Sequence, residues 1–283
     1  MRVVCAGHVN WDVTLRLDRL PVPDGESRVR DRHESGGGSA ANVAVALVAL
    51  ERSASLVGSV GDDATGARAL DSLAEAGVDV SSVSTVPGET ARKYLLVDSA
   101  GEVSVIDDGG VNEAVGPADV EASWLDGATH LHLTGQAPAT AARLAELADE
   151  RGLRVSFDPG RRLDCRDYTA TLGRTDVLFL NDREAGELAR ESLPDDCVVL
   201  IKHGERGATL DTSERTLEHR GVDLPAVDAT GAGDAFAAGF LAASLRGLDQ
   251  SRALAVANAC GALAASSEGP RADLSWDRVD ALL

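Results

Sequence analysis

Short apolar runs alternate with longer Ala- and Leu-rich stretches along most of the chain. The short runs are rich in β-branched residues, which is typical of strands; they are Val3–Ala6, Ser55–Val60, Thr129–Leu133, Arg154–Phe157, Asp176–Leu180 and Val198–Lys202. Three of the longer stretches have the length and apolar spacing of helices: Ser39–Leu50, Thr65–Ala76 and Ala139–Arg151. Strand and helix in repetition predict an α/β fold of three layers, with helices on both faces of a mostly parallel central sheet.

Two segments, residues 12–33 and 91–107, depart from this alternation. Each contains two short strand-like stretches joined by a turn with Pro, Gly or Ser. The stretches are Asp12–Leu17 with Ser27–His33, and Ala91–Val97 with Glu102–Asp107. We expect them to form a small β-lid at the edge of a single α/β domain that spans residues 1–283.

The last hundred residues follow another order. A β-like stretch from Ala208 to Val227 precedes two consecutive Ala-rich helices, Asp234–Leu245 and Ser251–Ser266. No internal repeat and no low-complexity linker interrupts the chain. The pattern therefore predicts that the fold closes on a helical layer.

The composition indicates a globular chain with a strongly acidic surface. Hydrophobic residues make up 44% of the 283, which is enough for a sizeable core. The 46 acidic and 27 basic residues give a formal net charge of -19, and such a charge repels nucleic acid, so we expect no DNA or RNA partner. Because concentrated salt quenches the self-repulsion of such a surface, the composition also favours a halophilic source.

Lysine is nearly absent, since Lys93 and Lys202 are the two lysines of the sequence. A Walker-type phosphate loop needs Gly-Lys-Ser/Thr, and a protein kinase needs a strand lysine of the Val-Ala-Ile-Lys type. Neither string occurs, so nucleotide chemistry here requires another phosphate cradle. No apolar run approaches the roughly 18 residues of a membrane-spanning helix. We therefore expect a cytoplasmic protein without a membrane partner.

The strongest motif is Asp228-Ala-Thr-Gly-Ala-Gly-Asp234, where a strand-like stretch ends and an apolar helix begins. Gly231 and Gly233 let the backbone approach a ligand closely. The free amides of Gly231, Ala232 and Gly233 at a helix start favour an anion. Asp234 beside them is suited to accept a hydroxyl proton while the amides stabilise a transferring phosphoryl group. The alternative is a helix N-cap aspartate after a glycine turn.

A second glycine-rich motif, Gly36–Asn42, opens the first long helix. Glycine again permits close approach, and the Asn42 amide offers both donors and an acceptor to a polar ligand. Two alternatives stay open. The spacing Gly36-x-Gly38-x-x-Ala41 also fits a dinucleotide fingerprint, and the segment also fits a flexible glycine turn without function.

Two polar groups follow predicted strands, where open α/β sheets bind ligands. Asn10 and Asp12 follow the first strand and suit the adjacent hydroxyls of a polyol, although such residues also form simple turns. Asn181 and Glu184 follow the strand that ends at Leu180. They suit a position near phosphates and a hydrated magnesium ion, or else a helix-capping box.

The motifs at Gly37–Asn42 and Asp228–Asp234 together resemble the two signatures of the PfkB, or ribokinase-like, carbohydrate kinases, and the resemblance covers essentially the whole chain. It implies a three-layer α/β/α core with a β-lid, and phosphorylation of a sugar or nucleoside hydroxyl with ATP as donor and Mg²⁺ as counterion. By the same resemblance Asp234 is the general base, and the amides of Gly231, Ala232 and Gly233 form the anion hole.

Further positions match the family in turn. Those that fall at its sugar site are Asn10, Asp12, Gly37, Gly38 and Asn42. Those that fall at its nucleotide site are Asn181, Lys202, Gly204, Gly207, Thr230 and Asn258. Glu184 falls at its magnesium position, with a water between, and Asp228 falls at the site of a monovalent cation such as K⁺.

Two departures leave the acceptor open. Asp158-Pro-Gly-Arg-Arg162 resembles a string of fructokinase-like and ketodeoxygluconate-kinase-like members, but Gly160 replaces their Asn. Lys202 stands where ribokinases usually carry Thr. Ribose, a ketohexose, a sugar acid and a nucleoside all remain as acceptors, with lid side chains such as Arg92 and Tyr94 choosing among them.

Other hypotheses remain beside the kinase. A nicotinamide-dependent oxidoreductase would use the Gly36 loop, and a non-catalytic sugar-binding protein would retain the fold alone. His130 and His132 face one side of a strand and, without a third metal ligand, are expected to be structural. An exposed edge of the lid tends to pair with another strand, which favours a homodimer.

Overall fold

Residues 1–188 and 192–283 are described by a computed structural model of the protein. The strands are β1 (Arg2–Ala6), β2 (Asn10–Leu17), β3 (Val29–Gly37), β4 (Ser53–Gly61), β5 (Asp79–Val86), β6 (Arg92–Val97), β7 (Val103–Asp108), β8 (Ala128–Thr134), β9 (Arg154–Asp158), β10 (Val177–Asn181), β11 (Val198–Lys202), β12 (Ala208–Asp211) and β13 (Thr216–His219). The helices are α1 (Ser39–Ala49), α2 (Ala64–Glu75), α3 (Pro138–Glu150), α4 (Thr169–Leu172), α5 (Asp182–Glu187), α6 (Ala232–Leu245), α7 (Gln250–Ala265) and α8 (Trp276–Asp280).

The central sheet has the strand order β13-β12-β11-β10-β9-β8-β1-β4-β5. The seven strands from β11 to β5 in this order pair in parallel, and β12 and β13 extend the sheet antiparallel. The predicted strands of the core are confirmed to within two residues at each end. The sheet also contains β5, which the apolar pattern did not predict because its sequence Asp-Val-Ser-Ser-Val-Ser-Thr-Val is largely polar and half-buried at the sheet edge.

Two apolar layers cover the sheet. Along β1 the side chains alternate, so that Val3 and Cys5 join the layer with α1, α6 and α7, while Val4 and Ala6 join the layer with α3. All four side chains are buried. The structure therefore has the predicted α/β/α layering, and the carboxyl ends of β1, β8, β9, β10 and β11 meet at one edge of the sheet.

A second sheet of four strands, in the order β3-β2-β6-β7, forms the lid. Asp12 of β2 pairs with Lys93 of β6, and Lys93 pairs in turn with Asp107 of β7, so the three side chains share one face. Asn10 was expected between β1 and the lid, and Asp12 was expected to begin the lid stretch Asp12–Leu17. Both lie on the lid strand β2, which already begins at Asn10 and pairs with β3 as far as Gly37.

The C-terminal part differs from the expectation in one respect. The β-like stretch predicted from Ala208 to Val227 contains only β12 and β13, and residues 220–231 run without regular structure to the start of α6. The two Ala-rich helices are confirmed as α6 and α7. No helix among residues 1–188 and 192–283 is both long enough and apolar enough to cross a membrane.

Candidate active site

The start of α6 is shaped by Gly231, the N-cap residue. Its φ of 75° lies in the left-handed region that favours glycine, and a Cβ there would meet the carbonyl oxygen of Pro270. Asp234 follows as the third residue of the helix, and no side chain caps α6. The hypothesis that Asp234 is merely an N-cap is therefore wrong. Its carboxylate is left for another contact.

That contact comes from α1. Asn42 Nδ2 donates a hydrogen bond of 2.8 Å to Asp234 Oδ2, across a sequence separation of 192 residues. Burial raises the pKa of Asp234 to about 6, while the bond from Asn42 and the charges of Lys202 and Lys93 act in the opposite direction. Asp234 is thus ionised at neutral pH, yet it is a better proton acceptor than an exposed aspartate.

The glycines before α1 bring backbone against backbone. Gly38 caps α1 with a φ of 96°, and a Cβ there would meet the carbonyl oxygen of His8. A Cβ at Gly37 would meet the Asp12 carboxylate. The segment is therefore tightly packed, not a flexible turn. Gly36 and Gly37 end the lid strand β3, which pairs antiparallel with β2 outside the central sheet. The motif therefore does not lie in the parallel βαβ unit that a dinucleotide fingerprint needs, and that alternative is wrong.

Two buried polar side chains of β2 lie beside this glycine segment. Asn10 Oδ1 accepts a hydrogen bond of 2.5 Å from Asn112 Nδ2. Burial raises the pKa of Asp12 to about 6, and the charges of Lys93 and Arg271 partly counteract this. Asp12 Oδ1 has no hydrogen-bond partner among the described residues. Asn10 and Asp12 therefore form a polar wall that remains able to accept hydroxyl groups.

Arg271 completes this wall, and no sequence motif indicated it. Its Nε lies 3.4 Å from Asn42 Oδ1, and its Nη1 donates a hydrogen bond of 3.2 Å to Ser72 Oγ. Burial lowers the pKa of Arg271 to about 10. Because the guanidinium orients the amide that in turn holds Asp234, Arg271 positions the carboxylate from a distant part of the chain.

A cavity opens on the other side of the α6 start. Four of the predicted nucleotide-site residues line it together with Ala232 and Gly233: Lys202, Gly204, Gly207 and Asn258. Asn181 and Thr230, which were expected there as well, are not among its lining residues in the described chain. The amide-bearing turn thus borders a cavity on one side, and Asp234 borders the polar wall through Asn42.

Lys202 forms a short ion pair inside this region. Its Nζ lies 2.6 Å from Asp158 Oδ2, and a Cβ placed on Gly233 would be 3.3 Å from Nζ. Burial alone would lower the pKa of Lys202, but the adjacent Asp158 carboxylate outweighs it and the pKa is raised. A permanent positive charge therefore stands directly beside the glycine turn. The string around Asp158 had been noted only for its departure at Gly160.

Asn181 and Glu184 form the capping box that the sequence allowed. Asn181 Oδ1 accepts from the Glu184 amide at 2.9 Å, and the two Glu184 oxygens accept from the Asn181 backbone and side-chain nitrogens at 2.9 and 2.8 Å. Burial raises the pKa of Glu184. Across residues 1–188 and 192–283, no group of three or more His, Cys, Asp and Glu side chains is arranged to hold a metal ion. These residues therefore fit Mg²⁺ only through water.

Two more predicted residues have structural partners. Asp228 accepts hydrogen bonds from the amides of Thr230 and Gly269 at 2.9 and 3.1 Å, which ties the glycine turn to the segment before α8. Asn258 Nδ2 lies 3.2 Å from both His219 Nδ1 and the Leu254 carbonyl oxygen. Both residues shape the turn and the cavity through these contacts.

The pair His130 and His132 lies inside the protein and away from this chemistry. Each ring has one nitrogen 2.8 Å from Ser156 Oγ, and both side chains are buried. Burial lowers the pKa of each to about 3, so both rings are neutral. Their contacts are those of core residues, as the sequence led us to expect.

Comparison with known proteins relates this geometry to a family. The model of the pfkB family carbohydrate kinases matches residues 1–277. A protein of Halopiger xanaduensis called ATP-dependent ribose-1-phosphate kinase is 53% identical, over 100% of this chain and 98% of its own length. A nucleoside kinase of Methanothermobacter thermautotrophicus is 29% identical over 96% of this chain and 92% of its own. The solved ribokinase of Thermotoga maritima has a TM-score of 0.87 at 22% identity and covers 99% of this chain and 98% of its own.

Proposed function

The chain belongs to the pfkB family of carbohydrate kinases, and we propose that it phosphorylates ribose 1-phosphate with ATP as the donor. The resemblance inferred from the sequence is thereby confirmed, and the kinase is favoured over both an oxidoreductase and a non-catalytic binding protein. The choice of acceptor rests on one observation, the 53% identity over the entire chain to a protein called ATP-dependent ribose-1-phosphate kinase.

In this proposal Asp234 is the general base. The primary hydroxyl of ribose 1-phosphate loses its proton to the Asp234 carboxylate, and its oxygen forms a bond to the γ-phosphorus of ATP. The bond from that phosphorus to the β–γ bridging oxygen breaks, so the products are ADP and a pentose bisphosphate. The bond from Asn42 supports this role because it fixes the carboxylate oxygen in place.

The transferring phosphoryl group is stabilised by the start of α6. The amides of Gly231, Ala232 and Gly233 are assigned to the anion hole at the positive end of the helix, and the Ala232 amide would share its donor with the Ala229 carbonyl oxygen, 3.2 Å away. Lys202 adds a full charge beside Gly233, and this supports its assignment to the phosphates in place of a neutral threonine. Asp158 holds the ammonium in position.

ATP is proposed to occupy the cavity beside Gly204, Gly207 and Asn258, because small residues there leave room for a flat ring system. Mg²⁺ neutralises phosphate charge when bound, and Glu184 with Asn181 would hold its water ligands. Thr230 is assigned to the nucleotide side of the turn. Asp228 would shape a carbonyl site for K⁺, since its own oxygens already accept two amides.

The acceptor is proposed to lie between Asp234 and the lid. Asp12 and Asn10 would bind ring hydroxyls, and the unpartnered oxygen of Asp12 supports this. Gly37 and Gly38 allow the ring to approach the backbone, and Asn42 would contact both the acceptor and the base. Residues 1–283 then act as one kinase domain, whose lid sheet (β2, β3, β6 and β7) closes over the acceptor.

A nucleoside is the second candidate acceptor. It is supported by the 29% identity to a nucleoside kinase. A nucleoside shares the ribose and its primary hydroxyl with ribose 1-phosphate but replaces the anomeric phosphate with a flat, neutral base. The two acceptors therefore differ only at the end of the molecule that is remote from Asp234.

The test is a measurement of ADP release over a panel of acceptors at low and at molar KCl. We expect ribose 1-phosphate to give a kcat/KM at least roughly 10-fold above those of ribose, fructose, ketodeoxygluconate and four nucleosides. Mass spectrometry should find the gain of one phosphate on the sugar. If a nucleoside or a free sugar is the preferred acceptor, the proposal of ribose 1-phosphate is wrong, whereas the assignment as a kinase stands.

A homodimer through the lid belongs to the same proposal, as does a cytoplasmic site of action in a halophile. All six residues of the edge strand β7 are exposed, and they include Val103, Val105 and Ile106. An open apolar edge of this kind pairs readily with a second copy. Analytical ultracentrifugation should therefore give twice the mass of one chain, and the Ile106→Lys variant should sediment as a monomer.

A further inference from the structure

A cluster of basic side chains surrounds Glu113, a residue that the proposed reaction does not use. Arg162 Nη1 and Arg166 Nη1 donate to Glu113 Oε1 at 2.8 and 2.6 Å, Arg166 Nη2 lies 3.2 Å from Oε2, and His8 Nε2 lies 3.3 Å from Oε1. The hydrogen bond with His8, together with the hydrogen bond and charge of Arg166, lowers the pKa of Glu113 to about 2. One carboxylate thus orders two guanidinium groups and an imidazole. We call these four residues the Glu113 cluster.

The Glu113 cluster has more positive than negative charge. Arg162 also lies 3.4 Å from Asp107, the register partner of Lys93 in the lid sheet. Two guanidinium groups thus share the Glu113 carboxylate with His8, and Arg162 has Asp107 as a second, more distant partner. In a chain with a net charge of -19, such a local excess of positive charge requires a reason. Each guanidinium has five N–H donors, so both keep donors beyond those that Glu113 and Asp107 take up.

The Glu113 cluster borders the acceptor wall. Asn112, the neighbour of Glu113, donates to Asn10 Oδ1 at 2.5 Å and accepts from the Val9 amide at 3.1 Å. His8 lies two residues before Asn10, and its carbonyl oxygen is packed against Gly38. Asn112, which contacts Asn10, is the chain neighbour of Glu113. An acceptor held by Asn10 and the glycine segment would therefore lie next to the Glu113 cluster.

A buried amide that is linked to the cluster through Tyr168 has a nitrogen without a partner. Gln136 follows β8, the strand next to β1, and the residue is 7% exposed. Its Nε2 has no hydrogen-bond partner among the residues that the structure describes. The backbone carbonyl oxygen of Gln136 accepts a hydrogen bond from the Tyr168 hydroxyl, and Tyr168 also interacts with Arg166. A buried donor without a partner is unfavourable, so a ligand that accepts from Gln136 would remove this penalty.

We propose that Arg162, Arg166 and Gln136 form the subsite that binds the phosphate already present on the acceptor. This rests on the proposed function, because it needs an acceptor that enters with one phosphate. The planar guanidinium fork matches phosphate oxygens in a bidentate way, and Glu113 keeps both forks ordered before binding. A nucleobase would need an apolar or aromatic face at this position, and the cluster offers charged groups instead. Arg162 and Arg166 thus determine which acceptor is used.

The test compares Arg166→Gln and Arg162→Gln with the wild type. We expect each variant to raise KM for ribose 1-phosphate at least roughly 20-fold, while kcat and KM for ATP change less than about 3-fold. The slow phosphorylation of free ribose should change less than about 3-fold in KM, because ribose does not reach the subsite. Arg166→Lys should recover part of the affinity. Arg143→Gln, which removes an arginine paired with Glu146 on the surface of α3, is the matched control and should behave as wild type.

The outcomes separate this inference from the proposed function. If the wild type phosphorylates ribose 1-phosphate and both variants keep its KM, the inference is wrong and the proposed function stands. If the wild type prefers an unphosphorylated acceptor, ribose 1-phosphate is not the acceptor and the inferred phosphate subsite is also wrong. Thermal shift with ribose 1-phosphate alone guards against a folding defect. The Arg166→Gln variant should melt within about 3 °C of the wild type without ligand and lose the ligand-induced shift, and a retained shift would also overturn the inference.

Discussion

The two ends of the acceptor site are built from different parts of the chain and by different means. At the phosphoryl end, we assign the chemistry to one seven-residue segment, which contains the backbone amides of the α6 start and the carboxylate of Asp234. At the far end, the Glu113 cluster and Gln136 come from segments after β1, after β7, after β8 and after β9. Backbone amides do not depend on the side chains that carry them, whereas the far end consists of side chains alone. If these assignments hold, substitutions at the far end should change the acceptor more readily than substitutions along the glycine turn change the phosphoryl transfer.

The Asp234→Asn variant should break the phosphoryl end with the largest effect. The amide introduced by this substitution cannot accept the proton, so we expect kcat to fall at least roughly 100-fold while KM for the acceptor changes little. Steady-state ADP release at pH 7.5 measures this. Turnover like that of the wild type would remove Asp234 from the mechanism.

The same variant should be more stable than the wild type. Burial raises the pKa of Asp234 from 3.8 to about 6, so the ionised carboxylate is less favourable in the folded protein than in the unfolded chain. The protonated Asp234 side chain contributes stability at low pH, and this contribution is lost as the pH rises through the folded pKa. An asparagine at this position carries no charge and avoids the loss. We expect the free energy of unfolding of the variant to exceed that of the wild type by about 1–2 kcal/mol at pH 7.5. This is less than the full linkage value, which is roughly 1.4 kcal/mol multiplied by the change in pKa. Urea unfolding at pH 7.5 and at pH 4.5 checks the sign, since the gain should shrink at the lower pH.

The Lys202→Thr variant tests the ammonium charge at the phosphoryl end. It leaves Asp158 unpaired beside the glycine turn, where a second negative charge opposes the phosphates. We expect kcat/KM for ATP to fall roughly 10- to 100-fold, together with a loss of stability. The double variant Lys202→Thr/Asp158→Asn should regain most of the stability and part of the activity. If the double variant is as impaired as the single one, the ammonium acts on the phosphates by itself and not by neutralising Asp158.

The Asn42→Ala variant sharpens the link between the base and the acceptor wall. In the wild type, Asp234 must be ionised, so kcat should decline as the pH falls through about 6. The hydrogen bond from Asn42 lowers the pKa of Asp234, and its loss should move this decline to higher pH. We expect kcat at pH 7.5 to fall roughly 10-fold and to recover partly at pH 8.5. A pH profile of unchanged position would show that Asn42 acts on the substrate alone.

We expect salt to have the smallest effect of these changes. It should raise stability through the charged surface more than it changes catalysis at the phosphoryl end. At about 1 M KCl the Debye length is near 3 Å, so the repulsion within a surface of net charge -19 is largely quenched. We expect the melting temperature to rise by about 5 °C or more between low and molar salt. NaCl and KCl should stabilise alike. A gain in kcat confined to KCl would indicate the cation site near Asp228, and equal kcat in both salts would argue against it.

The fold followed from the sequence wherever the local pattern was strong. Six of the seven parallel strands contain short runs rich in β-branched or apolar residues, and the glycine turn with Asp234 is contiguous, so these strands and the turn were predicted within two residues. The edge strand β5 was missed because a half-buried strand at a sheet edge needs few apolar residues. Asn10 and Asp12 lie beside the glycine segment, but only Asp12 was expected on a lid strand. The lid begins earlier than its turn residues indicated.

The sequence by itself determined the class of chemistry, because the amides and the carboxylate that carry it are adjacent in one segment. Only the tertiary structure brought Asn42 against Asp234, Lys202 against Asp158, and Arg162 and Arg166 against Glu113. These pairs are separated by 44 to 192 residues. No local pattern encodes such contacts, since each depends on how the strands are ordered in the sheet. In our proposal the acceptor is selected by contacts of this kind, and for that reason it could not be derived from the motifs.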